Sequence, residues 1–448
     1  MKKIYSIAAA LALIFSVQNA FSQSANSPYT VLGQGNYLGL GSMRNNAMGG
    51  VGVSMGSYQF SNLLNPALLT HNKFTVFEAA FYMEQRNLEE SGFPSQSDIG
   101  GGISYFNFAF PVSRNWTMGL GLRPMTTVNY EVNNQVELLN DQGAIVNYYE
   151  KKETGDGGLN QVYFSHGVNI WKGLVLGVEL GYVFGNLDRE FSSTLLDGQS
   201  NFIVTKLERI NHRQFTFKPG LLYTQPIGDK DKAKKLNFGA TWQPKLDYNF
   251  KYDQALIIKN SSDVAINVDT LDSNSDLKEV FPQVVTMGAS FEQTGKYSVG
   301  VDYENRSISS SDLIKNNNTL PSSGFQLKDS QRLSIGGEYT PDYLSASNYW
   351  KRITVRAGFK YEEFNYEKYI SSAQSSSTLT DALKLDDYSF SAGFSLPIGR
   401  GGASTLTMTG IYGWTEGQNE NALREEYFKL QLGLTINDPS WFIKRRVN

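Results

Sequence analysis

The 448-residue chain has no cysteine, three histidines and 13 prolines, and after residue 22 it has no long apolar run. Without cysteine there is no lipid-bearing N-terminal thiol, no disulfide frame and no thiolate metal site. His71, His166 and His212 are far apart in sequence, and no spacing among them suggests a metal centre. A transmembrane helix needs about 20 apolar residues in succession, so any membrane crossing after residue 22 must use strands. The formal net charge of −3 is too mild to argue for nucleic acid as a partner.

Catalytic patterns are equally sparse. Ser165 and His166 are sequence neighbours, so on a strand their side chains point to opposite faces and cannot form a nucleophile and base pair. The cluster Gly49-Gly50-Val51-Gly52 lacks the lysine and the strand-loop-helix setting of a phosphate loop. Asp263, Asp269, Asp272 and Asp276 are spaced too irregularly for a calcium loop. The reading is a protein with no catalytic residues, no metal and no cofactor.

What is present is an export signal followed by alternation. Residues 1–22 combine Lys2 and Lys3, an apolar run from Ile7 to Val17 and small residues at Ala20 and Ser22, the layout of a cleavable leader. From residue 74 onward, about fourteen segments of ten or more residues alternate apolar and polar, the period-2 signature of strands tilted through an outer membrane. The expected strands lie near 74–86, 101–111, 115–130, 157–170, 173–190, 202–225, 235–253, 281–293, 296–309, 330–340, 351–368, 387–398, 403–415 and 426–437. Tight connections such as Val112-Ser113-Arg114 and Trp171-Lys172 alternate with long polar ones at 87–100, 131–156, 254–280, 310–329, 369–386 and 416–425. Short periplasmic turns and long external loops are the asymmetry of outer-membrane barrels.

The faces agree. Leu174, Leu176, Val178, Leu180, Tyr182 and Phe184 share one side of a strand and Gly177, Glu179, Gly181 and Gly185 the other. Phe215, Phe217, Leu221 and Tyr223, then Ile353, Val355, Ala357, Phe359 and Tyr361, then Phe428, Leu430, Leu432, Leu434 and Ile436 read as outward. Lys218, Arg352, Arg356, Lys360, Glu362 and Lys429 read as inward, where charge meets water or protein instead of lipid. Aromatic belts are expected from Trp116, Trp171, Tyr297 and Trp350 beside short turns and from Tyr130, Tyr252, Tyr303 and Trp414 toward the long loops.

Ahead of the strands, residues 39–70 are glycine-rich and irregular, with Asn65-Pro66 a turn signal. The segment reads as a plug, carried by Gly49, Gly50, Gly52, Asn65, Pro66 and Ala67. A glycine-rich run ending in an Asn-Pro-Ala box just before the first strand resembles the hatch of the FadL/TodX family of outer-membrane channels. The resemblance implies a transmembrane antiparallel β-barrel of about 14 strands, in the outer membrane of a Gram-negative bacterium. It implies passive uptake of hydrophobic small molecules such as fatty acids, with release sideways into the membrane lipid. Some relatives instead serve as docking or scaffold subunits of a secretion or envelope-assembly complex, and the residues leave that alternative open.

The expected division is therefore a signal peptide at 1–22, an N-terminal periplasmic segment and plug at 23–72, a barrel at 73–437, and a basic aromatic periplasmic tail at 438–448. The third strand carries Gly119, Gly121 and Pro124. Proline cannot donate to the ladder and glycine weakens it, so pairing is expected to break there. In the family the third strand is where a kink opens a lateral portal. Pro219 and Pro244 fall inside two further expected strands.

Overall fold

A computed structural model describes residues 25–438 apart from positions 40, 141, 144, 196–201, 229–233, 309–324, 371–377, 399–403 and 419–422. The leader and all of the C-terminal tail beyond Asp438 lie outside the described residues. A two-residue strand β1 (Asn36–Tyr37) precedes the wall strands β2 (Thr75–Glu89), β3 (Gln96–Ser113), β4 (Trp116–Leu139), β5 (Ile145–Trp171), β6 (Leu174–Leu195), β7 (Phe202–Ile227), β8 (Lys234–Gln243) and β9 (Leu246–Asn260). The wall continues with β10 (Ala265–Phe281), β11 (Gln283–Gln293), β12 (Tyr297–Ser307), β13 (Phe325–Tyr339), β14 (Thr354–Ile370), β15 (Thr378–Ile398), β16 (Ser404–Gly417) and β17 (Arg424–Asp438).

Each strand pairs antiparallel with its neighbour, and β17 pairs with β2 from Arg424↔Glu89 to Asp438↔Thr75, which closes the ring. Pro244 separates β8 from β9 and Pro282 separates β10 from β11, so each pair is one bent strand. Counted that way the closed barrel has 14 strands. Closure joins the first and last strands of the sheet, so the sheet has no terminal strand left open to lipid, which is the condition for spanning a bilayer with strands.

The outer face is apolar as the alternation requires. Leu176, Leu180, Phe215, Phe217, Val355, Phe428 and Leu432 are exposed, while their neighbours Glu179, Lys218, Arg356 and Gln431 are buried in the interior. His166 lies on the outer face beside Phe164, its Nδ1 accepting from Trp116 Nε1 at 3.2 Å.

Three details differ from the expectation. The stretches 131–156 and 254–280 are not loops but mostly strand, as are the described residues of 369–386, because β4 to β7, β9, β10, β14 and β15 continue in register past the span of about ten residues a bilayer needs. Tyr130 therefore stays on the inward register and is buried at 2% exposure, and Tyr252 also packs against the interior cluster instead of joining a belt. Finally, Arg352 lies in a 3-10 turn (Tyr349–Arg352), outside the wall.

Candidate functional site: the barrel interior and a gap in its wall

Residues 42–72 lie inside the barrel with almost no regular structure. A single turn of α-helix, Met43–Asn46, is started by a reciprocal cap between Ser42 and Asn45. Gly49 and Gly50 follow with φ of +70° and +86°, a conformation that costs glycine nothing, and Gly49 N donates to Ser391 Oγ at 2.8 Å. Asp302 of β12 accepts from Gly52 N at 2.7 Å and Val53 N at 2.8 Å. In the Asn-Pro-Ala box, Asn65 Oδ1 accepts from Ala67 N at 3.0 Å while its Nδ2 donates to Val53 O and Leu221 O. One side chain thus caps the turn Pro66–His71 and ties it to β7.

The wall is shaped to receive this backbone. A Cβ on Gly358 would sit 2.0 Å from Met48 C, one on Gly239 2.1 Å from Val53 O, and one on Gly177 2.2 Å from Ala67 N. These inward wall glycines are close-approach positions. Of these three the alternation singled out only Gly177, as a small residue on the inner face.

Charge fills the rest. Arg44 reaches Glu338 at 2.6 Å, and Glu338 also holds Arg356 at 2.9 Å. Arg123 and Lys218 share Glu179 at 2.5 and 3.1 Å, and both also donate to Leu63 O. Glu84 bridges Arg86 and Lys429, with Arg86 also on Glu425. Lys360 sits 2.6 Å from Asp387, and Glu304 pairs with Arg332 and Arg306. Buried charges need such partners. The inward residues Lys218, Arg356, Lys360, Glu362 and Lys429 all belong to these sets or line them.

Between β3 and β4 the ladder runs only from Ser113↔Trp116 to Phe106↔Leu122. Beyond it, β3 continues on β2 as far as Gln96 and β4 continues on β5 as far as Leu139, without pairing to each other among the described residues. The wall therefore opens at Arg123 and Pro124, where the β4 to β5 register also shifts. Of the three residues expected at an opening, Pro124 lies just past the end of the β3 to β4 ladder. Gly119 and Gly121 instead lie in the paired part, where they leave room for Leu69 and the Tyr163 ring.

The N-terminal arm, residues 25–38, runs along this opening. Asn26 spans it, its N donating to Asp98 of β3 and its Oδ1 accepting from Glu131 N of β4 at 3.2 Å. Ser27 N donates to Asn129 O, β1 pairs with β4 as Asn36↔Thr127 and Tyr37↔Thr126, and Leu38 N donates to Met125 O. Arg189 donates to Gly33 O at 2.8 Å and Val31 O at 3.2 Å. The sequence reading placed residues 25–38 only within the N-terminal periplasmic segment and plug, without assigning them a place along the wall.

The arm also occupies the apolar parts of the interior. Val31 packs on the cluster of Met125, Val128, Tyr130, Leu159, Val183, Leu187, Ile210, Phe250 and Phe281. Leu32 joins Leu327, Phe364, Tyr366 and Leu385. Behind the gap lies a cavity of about 140 Å³ of mixed lining, with Leu38, Leu64 and Ile411 beside Arg332, Lys360 and Gln431. Among the described residues no group of three or more His, Cys, Asp or Glu could hold a metal ion.

Comparison with solved structures gives the same architecture. The CymD monoaromatic hydrocarbon channel superposes with a TM-score of 0.54 at 16% identity, covering 90% of this chain and 98% of that one. The Pseudomonas putida toluene transporter TodX gives 0.52 at 14% identity over 90% and 99%. A Pseudomonas aeruginosa FadL homologue gives 0.51 at 11% identity over 89% and 98%. The chain thus has the FadL-like fold of outer-membrane channels. No curated protein matches it by sequence. A family model described as BamG matches residues 1–448.

Proposed function

The chain belongs to the BamG family, and from that premise we propose that it acts as a docking or scaffold subunit in the outer membrane of a Gram-negative bacterium. One observation carries the reading. The two apolar clusters in which a hydrophobic molecule would lodge are occupied by Val31 and Leu32 of the chain's own arm, and the cavity beside the plug mixes Leu38, Leu64 and Ile411 with the charged Arg332, Lys360, Glu362 and Lys429. Apolar lining with a few polar groups is what a hydrophobic ligand requires. The proposed division of labour gives residues 42–72, with Gly49, Gly50, Gly52, Asn65, Pro66 and Ala67, the role of a fixed plug.

The side bearing the long hairpins suits docking. Leu138, Leu139, Ile145, Val146, Val264, Ile266 and Val268 are all exposed on β4, β5, β10 and their connections, past the bilayer span. Apolar residues in such numbers on a water-facing surface mark contact with protein.

A second reading is uptake of hydrophobic molecules with lateral release, and the opening at Pro124 favours it. It requires the arm to leave its place. Liposomes containing the purified barrel and presented with a fluorescent fatty acid separate the two. The docking reading predicts entry equal to that of protein-free liposomes, rising only when residues 25–38 are deleted. Saturable entry through the intact chain overturns it in favour of uptake.

A further inference from the structure

At the end of the barrel that carries the short turns, the interior opens into a vestibule of about 470 Å³. Its size falls within the roughly 300–1,000 Å³ of ligand sites. It is lined by the plug at Gly56 to Phe60 and His71 to Phe74, by the β11 to β12 turn, and by the connection between β13 and β14. That connection, 340–353, is long for this rim, and it projects Leu344 at 74% exposure and Trp350 at 76%. Tyr343 of the same connection packs on Tyr58 of the plug with ring centroids 6.3 Å apart.

Two independent features of the lining point to a ligand. The first is hydrogen-bonding capacity left open in one place. His71 Nδ1, Ser298 Oγ, Arg352 Nε and Thr405 Oγ1 are buried with no partner among the described residues, and all four residues line the vestibule. Ser298 and Thr405 are only 4% and 2% exposed. Buried polar groups are ordinarily paired, so four residues bordering one cavity with a closed-off, unpaired polar atom mark a lining that would gain hydrogen bonds by repacking around a bound group.

The second is charge. Glu338 is taken by Arg44 and Arg356, and Glu292 is taken by Lys235 at 3.2 Å. No carboxylate pairs with Lys73, Lys296 or Arg352 among the described residues, and Lys73 Nζ donates only to Thr70 O. Burial, with Lys235 and Lys73 nearby, lowers His71 to about 4, so its ring stays neutral at neutral pH and adds no charge of its own. The unpaired balance is cationic. Aromatic faces lie beside it at Tyr58, Phe60, Phe74 and Tyr343.

We propose that this vestibule is a docking site for an acidic, aromatic-bearing segment of a periplasmic partner protein. Short turns mark the periplasmic rim, which sets the compartment. Carboxylates of the segment would meet Lys73, Lys296 and Arg352, its backbone and hydroxyls would satisfy Ser298 and Thr405, and a ring would pack against Tyr58 and Tyr343. Lipid phosphates meet the outside of the barrel, whereas this lining belongs to the plug and the inner wall. The inference rests on the docking reading, and it assigns that reading a face opposite the long hairpins.

The test is fluorescence anisotropy of a labelled ten-residue peptide of alternating glutamate and tyrosine, titrated with the full barrel in neutral phosphatidylcholine nanodiscs at physiological salt. Saturable binding is expected, weakened at least tenfold by Lys73→Glu and by Arg352→Glu in variants that keep the heat-modifiable gel shift of a folded barrel. Lys172→Glu, at a rim turn outside the vestibule, should leave binding unchanged. Absence of saturable binding overturns the proposal. Equal weakening by Lys172→Glu also overturns it, since it indicates diffuse attraction to the rim. Expulsion of the peptide by phosphatidylglycerol in the nanodisc would assign the site to lipid headgroups instead. The fatty-acid assay reads a different property, so failure of the docking reading there and failure of the vestibule here are separately visible.

Discussion

The N-terminal segment has two parts that hold to the barrel by different means. Residues 42–72 are fixed by backbone fit and charge as well as by apolar packing of Met43, Leu63, Leu68 and Leu69 on the wall: wall glycines admit their backbone, Asp302 caps Gly52 and Val53, and Arg44 shares Glu338 with β14. The arm, residues 25–38, is fixed by apolar packing of Val31 and Leu32 and by hydrogen bonds to strand edges that the wall itself leaves unpaired. The first part is built into the fold. The second occupies a place that a strand or a ligand could occupy, and so is the part through which the interior could change state.

If that difference is real, the two parts respond unequally to substitution. The largest effect is expected from Gly358→Val, since even its Cβ would lie 2.0 Å from Met48 backbone. Neither the backbone of residues 42–72 nor β14 can shift cheaply, and the variant should fail to give the compact heat-modifiable band on a gel. Arg356→Ala should fold but lose about 2–3 kcal/mol in urea titration, because it strips one of the two guanidinium partners from Glu338, which keeps Arg44. In the arm, Ser27→Ala removes a hydroxyl that donates to Glu425 at 2.8 Å. Glu425 retains Arg86. The cost should be about 1–2 kcal/mol, and equal losses from Ser27→Ala and Arg356→Ala would erase the distinction between the two parts.

Much of the wall was legible because a barrel strand repeats one simple rule. Outward and inward residues alternate, and the apolar faces of β6, β7, β14 and β17 follow from sequence alone. Strand prolines were informative as well. Pro124 lies just past the end of the β3 to β4 ladder, Pro244 separates β8 from β9, and Pro219 directly precedes the part of β7 that pairs with β8 from Gly220. Glycine was ambiguous, because the same residue serves a broken ladder or a close approach. Gly119 and Gly121 turned out to be the second kind, facing Leu69 and Tyr163.

Other features were hidden for physical reasons. Alternation does not report where the bilayer ends, so strand continuing into water was read as loop, and Tyr130 was placed at an interface that β4 has already passed. Ion pairs such as Arg44 with Glu338 join residues 294 apart, and only the closed ring brings them together. The arm has no periodic pattern, since two paired residues and a few edge hydrogen bonds are enough to hold it.

The central claim is that the arm seals the opening in the folded protein. The absence of native cysteine allows a clean test by pairing Asn36→Cys with Thr127→Cys, at positions that face each other across β1 and β4. Directly opposed residues have Cα atoms about 4.5–5.5 Å apart, within the roughly 4.4–6.8 Å that a disulfide spans. The account predicts near-complete crosslinking on mild oxidation of the barrel in native outer membranes, seen as a reducible gel shift, with both thiols protected from maleimide. A cysteine at position 36 that stays reduced and reacts freely with maleimide in a folded barrel would contradict it, because the arm would then lie outside the gap.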